Sequence, residues 1–545
     1  MHDDFDITDF SISILVGHFE PHWYGYGYLT FLFSSLNTFV GYLWHIIVND
    51  WMSLHNYLVY LILQPREILI FNRIGFFVAL CIGIYLAGSY IRKKTDICFA
   101  LIFLSGVLIT NSFYFIKLWI KSQSIDIIWV VLSLGLAEKL YESPTKKTYI
   151  LAGCILGLAW STSLNGLILA ICFFVTIIIY QVNASINKNQ TIVKGLISIG
   201  WLVGAFCISY LLTSPFAIIS FNDWYLNITT LMKQGEMIGF TWDKSPSLEK
   251  TMTYLGFNSI FPAIVIIILF FSFVFDEIRE KSLKYLHGII FVLVCLFVYS
   301  RSPHVRIYYY FAFTVVMTIF ALIFLYRIGK VYRRISIIIP LILFCLVVYT
   351  NMNTPIMFSF FNKHYFEQNN GYTNSNILKQ KEWINHNLDT NGLVILDGFL
   401  HFIPPITCAD SVINSDLWGH YRYGRQYNNT MQRLVNEAWQ ISKLRGDKIF
   451  HCARAWVGYE YNEERMKRIK EIIVKSKYSP VYYVVPFEWY KQYVGIGMNI
   501  SDKQIKLVDY YKDLLEGNFG NVIFKDNDLA IIKLDLNKIN NFTKL

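Results

Sequence analysis

Long apolar segments recur along the first two thirds of this 545-residue chain, and they constrain its fold more than any other feature. Each is long enough to cross a bilayer, or nearly so, and short polar stretches separate them. Ten such segments occur, at about residues 73–92, 97–114, 125–140, 149–162, 165–182, 193–213, 257–276, 285–300, 308–326 and 336–351. Because 54% of the residues are hydrophobic and only 16% are charged, the chain is predicted to be a polytopic α-helical membrane protein.

The distribution of basic residues predicts the orientation of these segments. If the N-terminus lies outside, seven Lys and Arg residues fall in the short outer loops and fifteen in cytoplasmic loops. The fifteen are Arg92, Lys93, Lys94, Lys139, Lys146, Lys147, Lys188, Lys194, Arg279, Lys281, Lys284, Arg327, Lys330, Arg333 and Arg334. Cytoplasmic loops of membrane proteins carry the excess of basic residues. Both termini are therefore predicted to be extracytoplasmic.

A further apolar stretch, residues 24–49, is rich in Tyr and Trp. Counting it as a membrane span would invert every later loop and place Arg92, Lys93 and Lys94 outside. It is therefore interpreted as a helix lying in the outer membrane interface, where aromatic rings are half hydrated. The alternative is a true eleventh span.

From about residue 352 the composition becomes that of a water-soluble domain, in which helical patterns alternate with strand-like runs at Leu393–Leu396, Val481–Val485, Asn521–Phe524 and Leu529–Leu534. The chain is thus predicted to comprise a transmembrane domain, residues 1–351, and an extracytoplasmic mixed α/β domain, residues 352–545. Cys408 and Cys452 are the only cysteines of the second domain, and in an oxidising compartment they are expected to form a disulfide. The alternative is two buried free thiols.

Ionisable residues at the predicted outer boundary are the candidates for chemistry, because charges at a membrane boundary are costly to maintain. An acidic N-terminal loop can bind a cation or deprotonate a hydroxyl, although it can also be a solvated end. The short turn near residue 304 could hold a lipid phosphate, although its side chains can equally be interfacial anchors. The candidates are Asp3, Asp4, Arg73, Asp126, Arg301, His304, Arg306 and Tyr308. No dense basic run is present, so nucleic acid is not an expected partner.

The order of these features resembles the GT-C membrane glycosyltransferases, particularly the branch of protein O-mannosyltransferases and aminoarabinose transferases that uses polyprenyl-phosphate sugars. The similarity runs along most of the chain. The segments that carry it include His2-Asp3-Asp4, similar to the acidic motif of the family's first extracytoplasmic loop, Asn72-Arg73-Ile74-Gly75, Ser124-Ile125-Asp126 and His304-Val305-Arg306-Ile307-Tyr308.

The chain also departs from the family pattern. Ser163-Leu164-Asn165 stands where the family often has a lysine after its small-residue helix. The family's first membrane helix, which precedes the acidic loop, would have to lie before Met1. The WWD-type motif of oligosaccharyltransferases is absent from the sequence, which argues against transfer of a whole glycan to asparagine.

The resemblance implies an inverting glycosyltransferase that moves a single sugar from a polyprenyl-phosphate carrier to an acceptor hydroxyl on a glycan, lipid or protein at the extracytoplasmic face of the membrane. Asp3 or Asp4 would be the base, and Arg73 and Arg306, with His304, would stabilise the leaving phosphate. No firm metal-ligand spacing is seen, although a divalent cation could bind His2, Asp3 and Asp4.

Two other functions would fit a chain of this kind. A secondary transporter or lipid flippase with an extracytoplasmic domain would show charges near the bilayer midplane and an inverted repeat. The third hypothesis is that the chain is a noncatalytic assembly protein.

Overall fold

The computed structural model describes residues 2–20, 27–49, 51–63, 65–108, 120–187, 192–222, 224–225, 229, 283–301, 310–331, 374–397, 407–408, 429–446, 448–455, 463–485, 502–526 and 529–538. The chain divides into two compact units. The helical unit comprises Phe10–Asn49 and Arg66–Phe358, and the C-terminal unit comprises Met1–Asp9, Asp50–Pro65 and Ser359–Leu545. Two segments that the sequence analysis grouped with the membrane domain, Met1–Asp9 and Asp50–Pro65, thus belong to the compact unit of the C-terminal domain.

Helices account for the first two thirds of the described chain. They are α1 (His2–Leu15), α2 (Tyr28–Asn49), α3 (Leu54–Leu63), α4 (Pro65–Lys94), α5 (Ile97–Leu108), α6 (Gln123–Glu142), α7 (Lys146–Thr162), α8 (Leu164–Asn187), α9 (Ile192–Thr213), α10 (Leu286–Arg301) and α11 (Tyr310–Val331). Eight of the ten predicted segments coincide with α4 to α11, which confirms them as helices. The other two, residues 257–276 and 336–351, lie outside the described residues.

The helical unit exposes apolar side chains and buries several polar ones beside a large apolar core. Ile82 of α4 and Leu212 of α9 are exposed, whereas Asn72, Asp126 and Glu138 are buried. Within the described residues, four helices are long and apolar enough to cross a membrane, namely Tyr28–Asn49, Glu67–Lys94, Asn165–Ala184 and Val193–Thr213. This distribution suits helices surrounded by lipid. The chain is a helical membrane protein with a C-terminal α/β domain.

Helix α2 likewise exposes apolar side chains and buries polar ones. Leu36, Trp44 and Ile47 are exposed, whereas Asn37 and His45 on the opposite face are buried. This helix of 22 residues is long enough to span a membrane. Lipid would cover its exposed apolar face whether the helix spans the membrane or lies in the interface. Its placement in the outer interface stays a prediction.

The packing of α7 against α9 depends on small residues. A Cβ atom on Gly153 would lie 2.3 Å from the carbonyl oxygen of Leu202, and one on Gly157 would lie 2.6 Å from that of Phe206. Glycine at both positions lets the two backbones approach closely, as is common between membrane helices. Trp160 of α7 then stacks on Tyr210 of α9, with ring centroids 4.1 Å apart.

Helices α4 and α6 run side by side in the same direction. A Cβ atom on Gly83 of α4 would lie 2.1 Å from Cγ2 of Ile127, near the start of α6. Eleven residues later, Lys94 binds Glu138, near the end of α6. The first part of α4 therefore extends beyond the start of α6, and Asp126 and Glu138 lie at opposite ends of the bundle, about 18 Å apart along the helix axis.

The C-terminal unit contains a six-stranded sheet with the order β2-β3-β1-β4-β6-β5. Strands β1 to β4 are parallel neighbours, and β5 and β6 form an antiparallel hairpin beside β4. The strands are β1 (Leu393–Asp397), β2 (Thr407–Cys408), β3 (Ile449–Ala455), β4 (Val481–Val485), β5 (Gly520–Lys525) and β6 (Ala530–Leu534), and the helices are α12 (Asn374–Asn387), α13 (Asn429–Leu444), α14 (Glu463–Lys475) and α15 (Asp502–Leu515). The mixed α/β fold predicted for this region is confirmed.

Both faces of this sheet are covered by apolar side chains. Ile395 on one face packs in a cluster with Ile469 of α14 and Leu507 of α15, whereas Val394 on the other face packs with Ile384 of α12. The apolar helix α3 packs against α13 within the same unit, where His55 Nε2 lies 2.7 Å from Glu437 Oε2. An apolar segment between the long helices α2 and α4 is thus part of the C-terminal unit.

Cys452 of β3 is disulfide-bonded, as expected for an oxidising compartment. Strand β2 lies beside β3, with Cys408 opposite Phe450. That Cys408 is the partner of Cys452 stays a prediction.

Candidate functional site

The carboxylate of Asp126 is buried in the first turn of α6, where hydrogen bonds from the turn between α7 and α8 hold it. Ser163 Oγ lies 2.8 Å from each carboxylate oxygen, and Asn165 Nδ2 lies 3.4 Å from Oδ2. Only 3% of the Asp126 surface is exposed. A buried carboxylate is stable only when such donors replace its hydration. Ser163 and Asn165 are therefore the hydrogen-bond partners of Asp126.

A second set of contacts fixes this turn to the start of α2. The carbonyl oxygen of Thr162 accepts hydrogen bonds from Gly27 N at 3.1 Å and from Thr30 Oγ1 at 2.7 Å. Trp129 Nε1 donates to Thr162 Oγ1 at 2.9 Å. A Cβ atom on Gly27 would lie 2.1 Å from the carbonyl oxygen of Ser161, so only glycine allows this approach. The ends of α2, α6 and α7 are held together at one point.

The chain enters α6 through four consecutive buried polar residues, Lys121 to Ser124. Their exposed fractions range from 1% at Ser122 and Ser124 to 5% at Gln123. Ser122 Oγ, Gln123 Oε1 and Ser124 Oγ have no hydrogen-bond partner among the residues that the structure describes. Buried polar atoms of this kind are usually satisfied by water or by a ligand.

These residues form a polar end to an otherwise apolar bundle. We call Lys121, Ser122, Gln123, Ser124, Asp126, Ser163 and Asn165 the α6 polar cluster. It combines a buried lysine with the N-terminus of a helix of 20 residues, and both favour an anion. Its hydroxyl and amide groups can bind the hydroxyls of a sugar.

Arg73 follows a second buried polar network. Asn72 is fully buried, accepts a hydrogen bond from Ser34 Oγ at 2.7 Å and donates to Thr38 Oγ1 at 3.1 Å. Thr38 Oγ1 lies 2.9 Å from Ser11 Oγ of α1. Helices α1, α2 and α4 are therefore joined through side-chain hydrogen bonds immediately beside Arg73.

Arg73 and Asp126 lie at different depths in the helical unit. Gly83 of α4 contacts Ile127 of α6, and Arg73 lies ten residues before Gly83. At 1.5 Å per residue, Arg73 is about 14 Å beyond Asp126 along the helix axis. These two predicted substrate-binding residues do not form one cluster, and only an elongated ligand could contact both.

The remaining predicted site residues are described in part or not at all. Asp3 and Asp4 lie in α1 and Arg301 is the last residue of α10, but their side chains are outside the described part of the structure. The segment with His304, Arg306 and Tyr308 lies outside the described residues. Their roles stay predictions. Among the described residues, no group of three or more His, Cys, Asp or Glu side chains could hold a metal ion.

Sequence reasoning missed three members of the α6 polar cluster. Lys121 was counted only as one basic residue of an outer loop, and Ser163 and Asn165 were noted only as a departure from a family pattern. The run of small polar residues from Ser161 to Asn165 between two apolar helices was the available signal.

Comparison with known proteins leaves the family open. No protein-family model and no curated protein matches the chain. Two solved structures of ArnT from Cupriavidus metallidurans are similar to it. The apo state has a TM-score of 0.47 and 10% sequence identity, covering 98% of this chain and 94% of that one. The structure bound to undecaprenyl phosphate has a TM-score of 0.45 and 8% identity, covering 97% and 93%. Similarities at this level do not establish a common activity.

Proposed function

We propose that this protein is an integral membrane glycosyltransferase of GT-C type, which moves one sugar from a polyprenyl-phosphate carrier to an acceptor hydroxyl at the extracytoplasmic face. The observation that carries the proposal is the α6 polar cluster. Lys121 and the N-terminus of α6 supply positive charge for a phosphate. The side-chain oxygens of Ser122, Gln123 and Ser124, which have no partner in the described part of the chain, suit sugar hydroxyls. The ordering of sequence motifs supports the same proposal.

The proposed donor is elongated, which agrees with the spacing of the candidate residues. With its phosphate beside Lys121 and the start of α6, the donor can extend from the level of Asp126 toward that of Arg73, about 14 Å away. A guanidinium such as that of Arg306 can bind two phosphate oxygens at once. We infer that Arg73, with Arg301, His304, Arg306 and Tyr308, contributes to the donor site, and that Asp126 orients Ser163 and Asn165.

In the proposed reaction the acceptor oxygen forms a bond to the anomeric carbon while the bond from that carbon to the phosphate oxygen breaks. The bonding electrons leave with the phosphate, so negative charge develops there, and cationic side chains stabilise it. Asp3 or Asp4 takes the proton of the acceptor hydroxyl. Attack opposite the leaving phosphate inverts the configuration of the sugar.

The competing proposal of a secondary transporter or lipid flippase has less support. Transporters place ionisable residues near the bilayer midplane. In the described part of the helical unit, Asp126 and Glu138 lie at the two ends of α6. Buried His287 lies midway along α6, where its Nε2 is 3.0 Å from Ser133 Oγ. No described carboxylate lies midway along α6.

The test is sugar transfer by the purified protein in liposomes, using a panel of synthetic polyprenyl-phosphate sugars. Asp3→Asn and Asp4→Asn are compared with Asp9→Asn, a change of the same kind in the same helix. The variant that lacks the base is expected to lose roughly two to four decades of activity, the usual contribution of a general base. Full activity in both Asp3→Asn and Asp4→Asn would remove the assignment of the base.

A further inference from the structure

A second charged cluster lies at the end of the helical unit opposite Asp126, where α4, α6, α11 and the turn that leads into α10 meet. We call Lys94, Glu138, Glu142, Lys284 and Arg327 the basic-end cluster. Glu138, which is 4% exposed, binds Lys94 and lies 2.7 Å from Lys284 Nζ. Lys284 also binds Glu142.

Tyrosines hold this cluster in place. Tyr90 donates a hydrogen bond to Glu138 Oε2 at 3.3 Å, and Tyr180 donates to the backbone oxygen of Lys284 at 3.3 Å. Arg327 donates from Nη2 to the hydroxyl of Tyr285 at 2.6 Å, and its guanidinium carbon lies 4.8 Å from the centroid of the same ring. Tyr285 thus fixes the position of the Arg327 guanidinium.

The charges of this cluster do not cancel. Lys94, Lys284 and Arg327 are cationic, and Glu138 and Glu142 are anionic, which leaves one positive charge. Burial, together with the neighbouring cations Lys94 and Arg327, lowers the pKa of Lys284. Excess positive charge in a partly buried place is costly unless an anion lies nearby.

One donor of the cluster has no acceptor among the residues that the structure describes. Arg327 Nη1 is buried and makes no hydrogen bond there, although Nη2 of the same guanidinium does. A buried N–H without an acceptor costs about 1 to 3 kcal/mol, and more for a charged group. The missing partner is therefore expected to be an anionic oxygen.

We propose that the basic-end cluster binds the phosphate of an anionic membrane lipid, with Arg327 as the residue that determines binding. A phosphodiester carries the single negative charge that the cluster lacks and offers the oxygen that Arg327 Nη1 needs. A lipid is the favoured source of this phosphate because the cluster lies at the ends of apolar helices. Further along α10, Leu293 and Phe297 are exposed and suit contact with acyl chains.

The proposal is tested on the full-length protein in neutral detergent, titrated with phosphatidylglycerol, phosphatidylcholine or inorganic phosphate. Thermal unfolding and the lipids retained in native mass spectrometry are measured. Phosphatidylglycerol is expected to raise the Tm of the parent and of Lys93→Gln, a control that removes the exposed cation beside Lys94. Arg327→Gln should weaken this binding roughly tenfold or more, as for loss of a charge-assisted hydrogen bond.

A second variant separates a lipid site from a purely structural ion-pair cluster. Glu138→Gln raises the net charge of the cluster, so a phosphate site should bind phosphatidylglycerol several-fold more tightly even if the protein becomes less stable. If that variant does not fold, Glu142→Gln removes an exposed carboxylate instead. It should likewise bind phosphatidylglycerol more tightly. Unchanged binding in Arg327→Gln, weaker binding in the glutamine variants, or an equal Tm rise with inorganic phosphate alone would overturn the proposal.

Discussion

At the scale of single residues, the helical unit is organised around buried carboxylates whose hydration is replaced by neighbouring side chains. Asp126 receives hydroxyl and amide hydrogen bonds, whereas Glu138 receives two lysines and a tyrosine. The buried Lys121 lies five residues before Asp126, in the turn that leads into α6.

Removing the Ser163 hydroxyl should destabilise the protein. In Ser163→Ala, the contact with Asn165 at 3.4 Å is the only hydrogen bond to the Asp126 carboxylate that remains among the described residues. The free energy of unfolding should therefore fall by about 1 to 3 kcal/mol. Ser143→Ala is the matched control, because Ser143 is exposed and its hydroxyl lies 3.5 Å from the backbone oxygen of Lys139. Unfolding titrations in mixed micelles measure both. Equal stability of the two variants would show that Ser163 contributes nothing to holding Asp126.

The sequence predicted Asp126 but not the residues that bind it. An aspartate after a polar turn at the start of an apolar segment is visible as a pattern. Its contacts with Ser163 and Asn165 join residues 37 and 39 positions away, and no local pattern reports such contacts. The burial of Lys121 is likewise a tertiary property.

At the scale of elements, hydrophobic patterning predicted the helices well because a membrane span needs a long uninterrupted apolar run. The strands β1, β4, β5 and β6 were also predicted, since they are short, apolar and bounded by turn residues. Strand β3 was missed because its sequence, IFHCARA, interrupts the apolar pattern with His, Cys and Arg. Its place next to β1, inside the sheet, makes it a strand despite that pattern.

The close approach of α7 and α9 gives a prediction at this scale. Gly157→Ala places a methyl group 2.6 Å from the carbonyl oxygen of Phe206, so the helices must separate, at a cost of about 1 to 3 kcal/mol. Gly204→Ala in α9 is the control, because nothing lies within 4 Å of its Cβ position. There the gain in helix propensity should leave stability equal or slightly higher. Thermal unfolding in detergent distinguishes them, and a Gly157→Ala variant as stable as Gly204→Ala would contradict this packing.

At the scale of the whole molecule, the two polar ends of the helical unit differ in charge. The end with Glu138 gathers Lys94, Lys284 and Arg327, all of which the sequence analysis assigned to cytoplasmic loops. The end with Asp126 was assigned to the outside. Residues predicted to lie on the same side of the membrane thus lie at the same end of the helical unit. This agrees with the predicted alternation of spans, because a wrong alternation would place some of these residues at the other end.

The orientation itself is a prediction that labelling can test. Lys93→Cys and His420→Cys are prepared separately, and intact cells are treated with an impermeant thiol reagent. The variant at position 420 should react above the level of the parent protein, whereas the variant at position 93 should react only after the membrane is opened. The reverse pattern would invert the orientation and move the α6 polar cluster to the cytoplasmic side.

The central claim is that the protein binds a polyprenyl phosphate through the α6 polar cluster, and binding can be measured without knowing the sugar. A short polyprenyl phosphate and the corresponding polyprenol are titrated into the purified protein, its Lys121→Gln variant and a Lys147→Gln control at an exposed position. The account predicts that the phosphate raises the Tm of the parent and of the control far more than the polyprenol does, and that Lys121→Gln binds it about tenfold or more weakly. Equal binding of phosphate and alcohol by the parent, or equal phosphate binding by Lys121→Gln and the control, would contradict it.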